Sequence, residues 1–215
     1  MTGKAKRRAY ASPLRQAGAE ATRRSILGAA QRLFLKRGYA ATTMPAIARA
    51  AGVALDTVYA TIGNKPTLFR LLVETAISGE DEAVPAEARD YVRAIHAEPD
   101  PARKLEIYAT ALGAIQPRLA PLFQVLQAAA PLDRNLKSLW TEIARRRAAN
   151  MQLLAEELAA SGRLRRGLSI AMAADIIWSM NAPEFYLLLV AQRAWSPVAF
   201  AQWLGDAWIR LLLEP

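Results

Sequence analysis

Residues 43–59 read TMPAIARAAGVALDTVY, and this stretch decides the fold. Thr43 is a good N-cap, Pro45 is tolerated in a first helical turn, and Gly52 ends the helix that runs from Met44 to Ala51. A second short helix follows from Leu55 to Thr61. Ile47, Ala48, Ala51, Val53 and Val58 supply a small apolar seam, and the alanines let the two helices cross closely. Two short helices joined at a glycine form a helix-turn-helix, whose second helix can lie in the DNA major groove.

Working outward, a first helix is predicted from Glu20 to Arg37, with Ile26, Leu27, Ala30, Leu33 and Phe34 on one face and Gly38 as its stop. Asn64 caps a fourth helix, Lys65 to about Ser78, which closes at Gly79. Residues 1–19 form a basic flexible arm, residues 20–79 the DNA-binding domain, and residues 80–215 a second domain. In the second domain, proline and glycine punctuation places helices at about 86–97, 101–116, 119–129, 133–161, 169–181, 183–194 and 197–213. The chain is rich in Ala and Leu and has no alternating run of strand length, so the fold class is all-α.

Charge follows the same division. The 215 residues carry a net charge of +9. Residues 1–80 hold 13 basic and 4 acidic groups, whereas residues 81–215 hold 15 of each. A basic N-terminal third suits a polyanion, and a neutral remainder suits some other task.

Other classes drop out. There is no Cys and one His, His96, which is expected at the surface near a helix end. With no paired carboxylates at catalytic spacing, phosphate loop, metal cluster or nucleophile elbow, no catalytic residue, metal or cofactor is expected, and the protein is not read as an enzyme. The basic start lacks the apolar run of a secretory signal, and Leu168–Ala191 is interrupted by Asp175, Asn181, Pro183 and Glu184, so a cytoplasmic, nucleoid-associated protein outside the membrane is expected.

Residues 22–78 resemble the DNA-binding domain of the tetracycline-repressor (TetR) family of transcriptional regulators. The likeness rests on Gly38-Tyr39, Thr42-Thr43, Ile47-Ala48, Ala51-Gly52-Val53, Tyr59, Lys65 and Leu68. It implies an N-terminal three-helix unit with the helix-turn-helix, plus a C-terminal helical domain that binds a ligand and dimerises. It also implies that Thr43, Tyr59 and Lys65 contact phosphates, that Arg23 adds backbone or minor-groove contacts, that Thr42 belongs to the DNA-binding set, and that Leu55, Asp56 and Thr57 face base edges. Tyr39 and Val58 read as core. Ala54 stands where the family has Ser or Thr, so the recognition helix lacks a capping hydroxyl, worth roughly 1 kcal/mol. Thr61-Ile62 replaces an aromatic or His followed by Phe. Asp56 either accepts from a cytosine amino group or caps its helix.

The helices over 183–194 and 197–213 are dense in large apolar groups and are expected to join two copies into a homodimer that reads a palindromic operator. Candidates for a ligand pocket are Tyr108, Phe123, Gln124, Gln127, Trp140, Trp178, Asn181 and Glu184. Few charges in that set point to an apolar or weakly polar small-molecule effector, and the run Arg145-Arg146-Arg147 reads as a solvated helix face. The resulting expectation is a ligand-responsive regulator, most simply a repressor. The alternative is a small-molecule-binding relative with weak or non-specific DNA binding.

Overall fold

The structure, a computed structural model, describes residues 13–79 and 83–215. Ten α-helices make up the described part: α1 Pro13–Ala41, α2 Met44–Ala51, α3 Leu55–Thr61, α4 Lys65–Ser78, α5 Asp90–Ala97, α6 Pro101–Ala129, α7 Arg134–Ala160, α8 Ile170–Met180, α9 Pro183–Tyr186 and α10 Pro197–Leu212. The bulk of the expected basic arm, residues 1–12, lies outside the described residues, as do residues 80–82 of the expected junction. Pro13–Ala19, expected as the end of the arm, instead opens α1; proline is well suited to a helix start. At the other end of α1, Gly38 takes φ 75° and ψ 172°, which breaks the helix and redirects its last turn toward α2.

The caps read from sequence are in place. The Thr43 hydroxyl accepts from Ala46 N at 3.3 Å, and Asn64 Oδ1 accepts from Thr67 N at 3.0 Å and from the Thr67 hydroxyl at 2.9 Å. Gly52 closes α2 in the left-handed conformation, φ 70°. Ala54 caps α3 with backbone alone.

Two expectations are corrected. The helices predicted at 101–116 and 119–129 are one helix of 29 residues with Pro117 and Pro121 inside it. An interior proline removes a helical hydrogen bond and costs about 3 kcal/mol. Here α6 touches α1, α4, α5, α7, α9 and α10, and that packing outweighs the local penalty. The helix predicted at 183–194 is short: α9 ends at Tyr186, a π-helical turn spans Leu187–Ala191, and Ala194 takes a positive φ of 57°.

The apolar interior divides into two cores, and α6 belongs to both. Ile115, Leu119, Leu122, Phe123 and Leu126 of α6 join Ile26, Phe34, Ile47, Val58 and Phe69 of the N-terminal helices and Leu136, Leu139 and Ile143 of α7. Leu105, Tyr108, Ala109 and Leu112 join Leu154 and Leu158 of α7, Ile177 of α8, and Phe200, Leu204 and Trp208 of α10. Each fully buried aliphatic or aromatic side chain contributes on the order of 1.5–3 kcal/mol. The N-terminal helices therefore share their core with the helices after residue 100.

Glycine sets how closely α6 and α10 lie. A Cβ on Gly113 would meet Ala201 Cβ at 2.8 Å and the Pro197 carbonyl oxygen at 3.2 Å. Gly113→Ala should destabilise the protein by about 1–3 kcal/mol in chemical denaturation. Gly18→Ala, in α1 with nothing within 4 Å of a new Cβ, should raise stability by up to about 1 kcal/mol in the same measurement.

Candidate nucleic-acid interface and buried cavity

The helix-turn-helix is held from behind. Ile47 and Val58 are fully buried, and the Ser25 hydroxyl of α1 donates to Ala51 O at 2.9 Å. Phe34 stacks on Tyr39 at 5.6 Å, and Phe69 meets both rings edge-on at 5.2 and 5.5 Å. Burial raises the Tyr39 hydroxyl to a pKa of about 12, so it stays protonated. These contacts fix how α3 is presented.

On the outer side, Thr43, Asp56 and Tyr59 are exposed, at the start of α2 and along α3. Leu55 and Thr57 are half-buried, and Leu55 packs against the core. Lys65 Nζ lies 4.0 Å from the centre of the Tyr39 ring, a cation–π contact that orients the ammonium at the start of α4. Burial lowers the Lys65 pKa, and Asp133 partly opposes that. Two expected contact residues are placed differently. Thr42 is fully buried, and its hydroxyl donates to Gly38 O at 2.8 Å, so it braces the turn into α2. Arg23 is half-buried, with Nε enclosed and unpartnered.

A cavity of about 540 Å³ opens where the two cores meet. Leu112, Ile115, Leu119 and Phe123 of α6 and Ile143 of α7 form an apolar wall. A polar network closes one end. Asn181 Nδ2 donates to the Tyr108 hydroxyl at 2.8 Å and lies 3.0 Å from Met151 Sδ. Arg147 Nη2 donates to Asn181 Oδ1 at 2.5 Å and to Trp178 O at 2.8 Å, and its guanidinium sits 5.0 Å from the Trp178 ring centre. Gln116 Nε2 donates to Asn181 O at 2.8 Å. Burial pushes the Tyr108 pKa far up and lowers that of Arg147. A smaller cavity of about 230 Å³ shares Tyr91, Tyr108 and Met151 with the larger one; the exposed His96 lies at its edge, bonded to Glu157 at 2.6 Å.

Among the pocket residues read from sequence, Tyr108, Phe123 and Asn181 line the cavity. Trp178 stands behind Arg147, Trp140 packs on Phe123 at 5.0 Å, and Glu184 acts on Arg147 through space. Gln124 and Gln127 are exposed on the far face of α6, with Gln124 facing a groove beside α1. In the arginine run Arg145 is exposed, as read from sequence, and Arg146 and Arg147 are half-buried. Arg145, Arg146 and Arg147 all line the cavity, so its wall carries more charge than an apolar or weakly polar effector calls for. Gln116, missed from sequence, carried the same signal as Asn181: a polar residue on the stripe Tyr108, Leu112, Leu119, Phe123.

The cavity is tied to the N-terminal helices by charged bonds. Arg146 Nη2 reaches Glu74 of α4 at 2.6 Å, and Arg70 of α4 holds Glu142 at 2.7 and 2.8 Å. Arg118 of α6 donates to Ala76 O at 3.2 Å. Glu74 and Arg146 both line the cavity.

Residues 26–72 match the family described as bacterial regulatory proteins, tetR family. Over 75 residues the chain is 39% identical to the HTH-type transcriptional regulator TtgR of Pseudomonas putida. That match takes in 34% of this chain and 36% of TtgR, so it spans about a third of the curated relative's length. The whole chain is similar to NalD, the secondary repressor of the MexAB-OprM multidrug efflux pump in Pseudomonas aeruginosa. The TM-score is 0.71 at 25% identity, covering 92% of this chain and 98% of NalD. The fold also resembles FadR from Bacillus subtilis in complex with stearoyl-CoA, with a TM-score of 0.69 at 18% identity, covering 87% of this chain and 98% of FadR. Among the described residues no helix is long and apolar enough to cross a membrane. The matched signature lies on the helix-turn-helix itself and the likeness to NalD runs through both cores, so residues 26–72 carry the DNA-binding signature of bacterial regulatory proteins of the tetR family, on a fold shared with NalD.

Proposed function

We propose that the chain is a repressor that binds a palindromic operator as a homodimer and leaves it when a small molecule fills the 540 Å³ cavity. The observation that carries this reading is Arg146, which lines the cavity while gripping Glu74 of α4. A molecule entering there meets the bond that positions the DNA-binding helices. Ligand and operator then weaken each other's binding by linkage. TtgR and NalD bear the names of a transcriptional regulator and a repressor, which supports the same reading.

On the DNA side, Thr43, Tyr59 and Lys65 serve the phosphates, and Asp56 with Thr57 reads the bases. Leu55 contributes mainly by packing α3. The basic arm adds diffuse attraction. The homodimer surface is residues 183–213. Leu188, Val198 and Leu211 are 50%, 66% and 45% exposed there, and Trp203 is bracketed by Phe185 and Trp195 at 5.8 Å each. A second copy covers these groups by two-fold symmetry, which also sets two α3 helices on two half-sites.

Selection from a random duplex pool should return a palindrome; recovery of sequences no better than bulk DNA would overturn the operator reading. Against the selected site, Lys65→Ala should weaken binding to all sequences alike and reduce the salt slope by about 1. Asp56→Ala should change the preferred bases and leave that slope in place.

The α4–α7 clasp should also show in stability. Its hydrogen bond to Arg70 holds the Glu142 carboxyl below its ordinary range. A depressed carboxylate stabilises the fold above its unfolded pKa and loses that contribution as pH falls through its folded one. Wild type should therefore exceed Glu142→Gln in stability at neutral pH, with the gap closing on acidification below the ordinary carboxylate range. A gap that is independent of pH in denaturant titrations would remove the clasp from the account.

A further inference from the structure

Arg147 carries a charge that the protein leaves unmatched. Its guanidinium lines the cavity, and its two hydrogen-bond acceptors, Trp178 O and Asn181 Oδ1, are both neutral. Three neighbouring cations have carboxylates, Arg146 with Glu74 at 2.6 Å, Arg70 with Glu142 at 2.7 Å and Lys104 with Glu157 at 2.7 Å, whereas of the other arginines lining the cavity Arg145 is exposed and Arg89 donates to Val84 O at 3.0 Å. Among the described residues no carboxylate stands within 4.0 Å of Arg147, and Glu184 acts on it only at longer range. Burial lowers its proton affinity, yet a guanidinium binds its proton so tightly that it stays charged at neutral pH. Enclosed charges are normally paired, because desolvation without a counterion is costly.

A second open valence sits beside it. Gln116 is 1% exposed and lines the same cavity. Its Nε2 is spent on Asn181 O, and its Oε1 is buried with no donor. Asn181, which joins Gln116 to Arg147, is itself saturated: its Oδ1 takes Arg147, and its Nδ2 serves Tyr108 and Met151. The network thus ends in guanidinium N–H groups and one amide oxygen, next to the apolar wall of Leu112, Ile115, Leu119 and Phe123.

We infer that the cavity takes an amphipathic organic anion, its acidic group paired with Arg147 and its apolar body laid against α6. This rests on the reading of the cavity as an effector site and adds the ligand's chemical class. It replaces the weakly polar effector expected from sequence, because the charge that matters lies on α7 among residues that read as solvent-facing.

The test compares two fluorescent probes on the full chain. These are 1-anilinonaphthalene-8-sulfonate and N-phenyl-1-naphthylamine, which share an aromatic body and differ by the sulfonate. The anion should bind once per chain and about tenfold or more tighter than the neutral probe. Arg147→Met should erase that preference while retaining the neutral probe and the selected DNA, which shows that the variant is folded. Arg147→Lys should keep most of the preference. Equal affinity of the two probes for the wild-type chain, or an anion affinity untouched by Arg147→Met, overturns the proposal. Anisotropy of labelled operator separates the two levels. Release by the neutral probe alone overturns the anion assignment and keeps the effector reading. Anion binding through Arg147 with no release upholds the assignment and overturns the effector reading.

Discussion

One helix has to satisfy two cores at once. The C-terminal half of α6 closes the interior beneath the helix-turn-helix, and its N-terminal half packs against α10 and shares a core with α8 and the far end of α7. Neither interior is complete without it, so α6 must run unbroken despite Pro117 and Pro121. The cavity falls where this shared helix passes from one core to the other. Packing on both sides is dense, and the seam between two separately satisfied interiors is where space is left over.

The same seam gathers the polar groups. A buried network needs every member satisfied, and here most are: Asn181 serves four partners through three atoms. On the neighbouring turn of α7, Arg146 and Glu142 reach across to α4. The cavity wall and the contacts that hold α4 therefore draw on adjacent residues of one helix. On the outer side of the helix-turn-helix, Lys65 stands at the start of α4, and the exposed Asp56 and Tyr59 of α3 carry no positive charge.

The parts of the fold legible in the sequence are those governed by neighbours in the chain. Thr43, Gly52, Asn64 and Gly79 mark helix ends through caps and left-handed turns, and all four ends stand where those residues put them. Where distant packing decides, local rules mislead. Pro117 marks a break on local chemistry, but six helices hold α6 straight through it. That false end also hid Gln116, which looks terminal at a break and sits mid-stripe in a continuous helix. Arg147 was hidden by its neighbours: in a run of three arginines, solvent is the natural reading. Counting by four from Ile143 to Met151 nevertheless lands on Arg147 and puts it on the buried stripe. The irregular path after Tyr186, a π-helical turn over Leu187–Ala191, has no comparable signal in the sequence.

Gly113 and Gly205 bear on how such a molecule can move. A Cβ at Gly205 would stand 3.4 Å from Ala109 Cβ, and one at Gly113 would collide with Ala201, so α6 and α10 touch backbone to side chain at two levels. Helices seated that closely at two points cannot slide or roll past each other without a steric clash. They form a stator. The contacts between α4 and α7 are of another kind, long ion-paired side chains (Arg146 with Glu74, Arg70 with Glu142) that can lengthen by a rotamer change. The two glycines thus make α6 and α10 one rigid frame, and the α4–α7 ion pairs are the adjustable contacts against it.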